Sequence, residues 1–172
     1  ADQRGVARPQ GPADDIGAVE AVLPGTIRIV KVAQPQGPTA FDFYLSGAEG
    51  RDFTLVDDGL GTRNTFTTTQ TPGTFVVTEN AQSGWFVSNI VCDDADSIVD
   101  IAARKATIRL GSQETVTCTY TNTKLGTITI VKKTVGGDGT FSYFSPQLGP
   151  FRLTTQKKTA QRTFIGTAPS VY

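Results

Sequence analysis

A lysine and an asparagine at the ends of two alternating segments, and a pair of cysteines, are the residues whose types and spacing could do chemistry here. Lys31 closes the phrase Gly25-Thr-Ile-Arg-Ile-Val-Lys31, and Asn122 closes the series Val116, Cys118, Tyr120, Asn122. Side chains two apart share one face of a strand, so Ile27, Ile29 and Lys31 form one set and the four later residues another. Both sets can face a core. A lysine held there is desolvated; the alternative is that its long stem snorkels to water. Cys92 and Cys118 are an even count with no CxxC spacing, which fits one disulfide, with two buried thiols as the alternative. The acids of Asp93-Asp94-Ala95-Asp96 could gather around calcium, but they lack the spaced ligands and glycine of a calcium loop, so a solvated turn is expected and no metal or cofactor. Histidine is absent from the whole chain, which removes the side chain that most often moves protons near neutral pH or binds zinc. With no nucleophile elbow and no paired-acid constellation either, an enzyme is not expected.

The segments that must position these residues read as β-strands throughout. Period-two alternation, rich in β-branched and aromatic residues and broken by Gly, Pro, Asn and Asp at intervals near ten residues, predicts an all-β sandwich. The predicted strands are Thr26–Ala33, Ala40–Ser46, Asp52–Val56, Asn64–Thr68, Gly73–Glu79, Phe86–Cys92, Lys105–Leu110 and Thr115–Asn122. No segment shows helical periodicity. Trp85 follows a turn and is expected to be a core or rim aromatic.

The phrase returns as Gly126-Thr-Ile-Thr-Ile-Val-Lys132, and the residues after it stay in register with the first copy. Phe41-Asp-Phe-Tyr44 answers Phe141-Ser-Tyr-Phe144, Phe53-Thr-Leu55 answers Phe151-Arg-Leu153, and Thr65-Phe66 answers Thr163-Phe164. Thr71-Pro-Gly-Thr-Phe75 has its counterpart in Thr167-Ala-Pro-Ser-Val-Tyr172. Such self-similarity marks a repeat array. It predicts a leader over residues 1–24, one complete unit over 25–124, and the first half of a second over 125–172.

The composition narrows the partners. The chain has 16 basic and 16 acidic residues, scattered rather than grouped, so neither nucleic acid nor an anionic membrane surface is expected. Its apolar runs fall well short of the roughly 20 residues that a spanning helix needs, so no membrane insertion of this segment is expected. The opening Ala1-Asp-Gln, without methionine, reads like the product of signal cleavage, and an extracellular location is expected.

Four phrases in order, GTIRIVK, TPGTFVVTEN, GWFVSNIVCDD and ETVTCTYTNTKLG running into the next GTITIVK, resemble the prealbumin-like, collagen-adhesin B-type repeat, also called the SpaA-type repeat, of bacterial surface proteins, pili and adhesins. The resemblance covers residues 25–124 fully and residues from Gly126 as a half unit. It implies an extracellular structural sandwich of seven to eight strands. Many members of that family carry an amide crosslink, self-formed, between a lysine of the first strand and an asparagine or aspartate of the last, assisted by a buried acid. Matched position by position, the resemblance makes Lys31 the amine, Asn122 the amide and Glu79, in FVVTEN, the acid. It implies that a protonated Glu79 polarises the Asn122 carbonyl while Lys31 attacks. Cys92 and Cys118 resemble the paired cysteines of disulfide-bearing members. The second copy departs from the pattern: it keeps Lys132 but has no TEN acid, no cysteine and no terminal asparagine.

The function expected is a structural module of a surface filament, pilus or adhesin stalk, built as a homo-oligomer or filament. The alternative is an adhesin module that binds another surface protein, a host ligand or a carbohydrate through the segments Asp57–Arg63 or Asp93–Asp100. A leader carrying Ile16, Val19, Val22 and Leu23 could add as a strand to the open edge of the half unit that reaches Tyr172 in another copy, and so make a head-to-tail filament; the alternative is that the array continues past Tyr172 with further repeats.

Overall fold

The computed structural model describes residues 22–47 and 50–166. Among them are thirteen strands: β1 (Gly25–Gln34), β2 (Ala40–Leu45), β3 (Arg51–Val56), β4 (Thr65–Gln70), β5 (Gly73–Glu79), β6 (Trp85–Cys92), β7 (Ile98–Asp100), β8 (Lys105–Leu110), β9 (Thr115–Lys124), β10 (Thr127–Lys133), β11 (Thr140–Ser145), β12 (Gly149–Thr154) and β13 (Thr159–Ile165). The architecture is all-β, as the alternation predicts. Two compact units divide after Lys124.

In the first unit, a four-stranded sheet in the order β4-β1-β9-β6 faces a five-stranded one in the order β3-β2-β5-β8-β7. The first and last strands are neighbours. β1 and β9 run parallel, with Thr26 opposite Thr115 and Ala33 opposite Asn122. A parallel pair cannot be closed by a hairpin, so every other strand of the unit lies in the connection between them. Alternation places Ile27, Ile29, Lys31 and Ala33 inward from β1, and Val116, Cys118, Tyr120 and Asn122 inward from β9. They pack with Phe41, Phe43, Leu55, Val77, Ala106 and Ile108 in one core. Burying a branched side chain of this kind contributes roughly 1.5–3 kcal/mol. Phe43 meets Tyr120 edge-on at 5.2 Å between centroids and stacks on Phe53 at 5.1 Å. Trp85 packs at the rim, edge-on to Phe41.

Gly25 has a steric reason to be glycine: a Cβ there would lie 2.7 Å from the Gly111 carbonyl oxygen and 2.9 Å from that of Glu114. The start of β1 is thus pressed against the β8–β9 turn. Thr26 N–H donates to the Glu114 carbonyl at 2.7 Å, and Leu23 exchanges hydrogen bonds with the Ser112 hydroxyl in both directions, at 3.2 Å.

β7 lies within a segment that reads as a polar loop. Its three residues are exposed and pair with β8 at the sheet edge. So short a strand has no inward face, which is why no alternation announces it.

The second unit repeats the opening of the first. β10 pairs antiparallel with β13, and β11 with β12, just as β1 pairs with β4 and β2 with β3. Tyr143 stacks on Phe151 at 5.1 Å, as Phe43 does on Phe53, and Phe164 packs on Phe151 as Phe66 does on Phe53.

Candidate functional site

Lys31 and Asn122 are diagonal neighbours on the inner face of the parallel pair, since Lys31 lies opposite Tyr120 and Asn122 opposite Ala33. Glu79, the last residue of β5, reaches them from the facing sheet. All three are buried, with Lys31 and Glu79 at 0 % exposure and Asn122 at 1 %. The Lys31 amine donates to Asn122 Oδ1 at 2.8 Å and to the carbonyls of Val32 and Tyr120, each at 3.1 Å. Asn122 Nδ2 donates to Glu79 Oε1. Glu79 Oε2 lies 3.7 Å from the Lys31 amine and has no hydrogen-bond partner. The three groups therefore form one closed, dry cluster, with the Phe41 ring under the amine at 4.3 Å.

Burial pushes both ionisable groups toward their neutral forms. Burial lowers the Lys31 pKa to about 8, against the opposing pull of Glu79 and, more weakly, Asp57. Burial likewise raises that of Glu79, opposed by Lys31 and by the Asn122 hydrogen bond.

One detail differs from the sequence reading. Glu79 addresses the amide nitrogen of Asn122, while the carbonyl oxygen receives the lysine N–H. The acid thus contacts the nitrogen end of the amide and not its oxygen.

The supporting contacts were not legible in the sequence. Glu79 N–H donates to the Arg104 carbonyl at 2.9 Å, while Arg104 Nε donates to the Glu79 carbonyl at 3.1 Å. Arg104 holds this clasp in the left-handed region, at φ 57°, where only glycine could have signalled a tight turn. Tyr120 donates its hydroxyl to the Val77 carbonyl at 2.8 Å, tying β9 to the facing sheet. Asp57, buried to 3 %, accepts from Ala33 N–H and the Gln36 amide, so it fixes the end of β1 just past Lys31.

The sulfurs of Cys92 and Cys118 are bonded, linking directly opposed residues of β6 and β9. Strand β9 is thus covalently held on one side and carries Asn122 toward the other. The acidic turn is largely occupied with local hydrogen bonds. Asp93 pairs with Thr117 through both its N–H and its carboxylate, Asp94 accepts from Ser97 N–H, and Asp100 accepts from Ala103 N–H. Carboxylate oxygens of Asp94, Asp96 and Glu114 lie within 4.8 Å of one another, and Glu114 also accepts from Gly111 N–H. Of the assembly residues, Val22 is 40 % exposed and Leu23 is engaged with Ser112, whereas Ile16, Val19 and Tyr172 lie outside the described residues.

A search of curated protein sequences found no match. Among solved structures, the chain is similar to a bacterial adhesin from Mobiluncus mulieris containing intramolecular disulfide, isopeptide and ester bond cross-links, at 15% identity and a TM-score of 0.46 over 58% of this chain and 41% of that one. It is also similar to the Bacillus anthracis TIE protein, at 16% identity and 0.46 over 83% of this chain and 26% of that one. A Streptococcal ancillary pilin matches at 15% identity and 0.45 over 84% of this chain and 50% of that one. The chain thus spans half or less of the length of each. A family model described as a prealbumin-like fold domain, of the SpaA type, matches residues 27–124, more than half of the chain. With the sandwich that those residues build, this match makes the chain a member of the SpaA-type prealbumin-like fold domain family.

Proposed function

We propose that the chain is a load-bearing module of a bacterial surface filament or adhesin stalk, acting outside the cell, and that its first unit locks itself with an amide bond between Lys31 and Asn122. The observation that carries this reading is the buried cluster itself, with the amine 2.8 Å from the Asn122 carbonyl oxygen and the acid on the amide nitrogen. The neutral amine attacks Cγ of Asn122 and forms the new C–N bond. Glu79 takes a proton from that nitrogen and passes one to Nδ2, the C–Nδ2 bond breaks, and ammonia leaves. Atoms and charge balance without an outside reagent. The reaction occurs once per chain, so it is maturation rather than turnover.

The crosslink would join the seventh residue of β1 to the third from the end of β9. Tension entering at Gly25 and leaving at Lys124 would then bypass nearly the whole unit. The test is protease digestion followed by peptide mass analysis. A branched peptide joining the Lys31 and Asn122 segments, lost in Glu79→Ala, is the expected result; two linear peptides from the unaltered chain would refute the crosslink.

A second part of the reading concerns the unit after Leu125. There Ile128 is 54 % exposed, whereas its counterpart Ile27 is fully buried beneath the first unit's other strands. A face and sheet edges that no other described strand covers call for further strands. The leader of another copy, through Ile16, Val19 and Val22, is the donor we infer, giving a head-to-tail filament. Deleting residues 1–21 should then abolish self-association in sedimentation; undiminished assembly would exclude the leader as donor.

A further inference from the structure

We propose that Ser88 is a positioning residue for the Lys31–Asn122 reaction; the proposal rests on the crosslink reading above. Ser88 is the extra residue of a β-bulge in β6. The ladder with β9 runs Trp85↔Lys124, Phe86↔Thr123, Val87↔Asn122 and then resumes at Asn89↔Thr121, so Ser88 has no residue opposite it. The break falls beside Asn122. Bulges interrupt ladder hydrogen bonds and re-aim nearby side chains.

The Ser88 hydroxyl fills the break. It donates to the Thr121 carbonyl at 3.1 Å and accepts from the Thr123 hydroxyl at 3.0 Å. One oxygen thereby grips β9 on both sides of Asn122, from the strand that is itself bonded to β9 through Cys92–Cys118. On the other edge of β9, Asn122 lies opposite Ala33 in an unbroken parallel ladder with β1. The β6 side is where the ladder is interrupted, and there the Ser88 hydroxyl, through Thr121 and Thr123, adds to the β1 ladder in setting the peptide plane of Asn122. That plane decides whether the amide carbon faces the Lys31 amine while its nitrogen stays on Glu79. Geometry of this kind is unforgiving: a displacement of about 1 Å can cost on the order of 100-fold in rate. Ser88 touches neither reacting atom, and it is not among the buried groups whose protonation the reaction uses.

The test tracks newly made protein. The full chain, Ser88→Ala and Ser88→Thr are synthesised in a cell-free system, quenched in denaturant at intervals, reduced, and weighed for the loss of one ammonia. Ser88→Ala should slow the loss about tenfold or more, with its pH profile unmoved, and Ser88→Thr, which keeps the hydroxyl, should restore most of the rate. In a Lys31→Ala background, where no bond can form, Ser88→Ala should leave the melting temperature within a few degrees of its parent. An unchanged rate in Ser88→Ala overturns the proposal. So does a slowed rate that threonine fails to rescue, or one that comes with a large fall in melting temperature in the Lys31→Ala background. A parent chain that never loses ammonia instead removes the crosslink itself, and the positioning role with it.

Discussion

The Lys31 amine lies 4.3 Å over the Phe41 ring, and that of Lys132 lies 4.2 Å over Phe141. The two lysines end the same phrase, in strands that each pair with an equivalent antiparallel neighbour, yet their surroundings diverge. Lys31 is fully buried among two carbonyls, an amide and a carboxylate, whereas Lys132 is half-buried. From Leu125 onward the sequence holds a single acid, Asp138, and no asparagine or cysteine. That acid accepts from the backbone N–H groups of Lys157 and Lys158. The glycines repeat the lesson: Gly25 is pressed against the β8–β9 turn, while a Cβ on Gly126 would meet nothing within 4 Å. The repeated phrase therefore supplies a strand and an amine over an aromatic ring. Only where β5 and β9 close over them does the amine gain an amide and a carboxylate as neighbours.

Removing each lysine should expose the difference most sharply. An amide bond between residues 91 apart restricts the unfolded chain as a disulfide would, by about 4–5 kcal/mol, so Lys31→Ala should lower the melting point of the first unit by about 20 °C or more. Lys132→Ala gives up an aromatic contact worth under about 1 kcal/mol, and calorimetry should show little change. Equal effects would erase the distinction.

Next in size is the disulfide. Replacing Cys92 and Cys118 together with alanine should cost the first unit roughly 3 kcal/mol in denaturant unfolding and leave the second unit's transition unmoved.

The pH dependence sharpens the comparison further. In Asn122→Ala the bond cannot form and Lys31 keeps its titratable amine. Its folded pKa, about 8, lies below the ordinary 10.5, so between those values the unfolded chain binds more protons than the folded one. Stability of that variant should therefore climb from about pH 8 and level near 10.5. The parent chain, with its lysine converted to an amide, should lack the climb; a parent that shows it has not reacted.

A more modest effect concerns a tie described only in the first unit. Tyr120→Phe removes the hydroxyl donated to Val77 and should cost about 1–3 kcal/mol, because the carbonyl left behind is buried.

Much of this architecture was legible because its strands obey one simple rule. Ile27, Ile29 and Lys31 alternate with outward residues, as do Val116 through Asn122, and each long strand lies within two residues of where alternation places it. The three-residue β7, exposed on every side, gave no such signal. At the site, the identities of Lys31, Glu79 and Asn122 could be read from the family's phrases, but their mutual orientation could not. That Glu79 would meet the amide nitrogen depends on how two sheets face each other. The Arg104 clasp and the Ser88 bulge are equally hidden, the first a left-handed arginine and the second one serine among many. Asp57 looked like part of a polar loop; it is buried because two donors from the end of β1 converge on it.

The most direct trial of the central claim is the intact mass of the purified chain after full reduction of its disulfide. A mass below that of the sequence by one ammonia, restored to the full value in Glu79→Ala, is the expected result. A reduced parent chain that carries its entire sequence mass, with Lys31 open to amine-modifying reagents once unfolded, would contradict it.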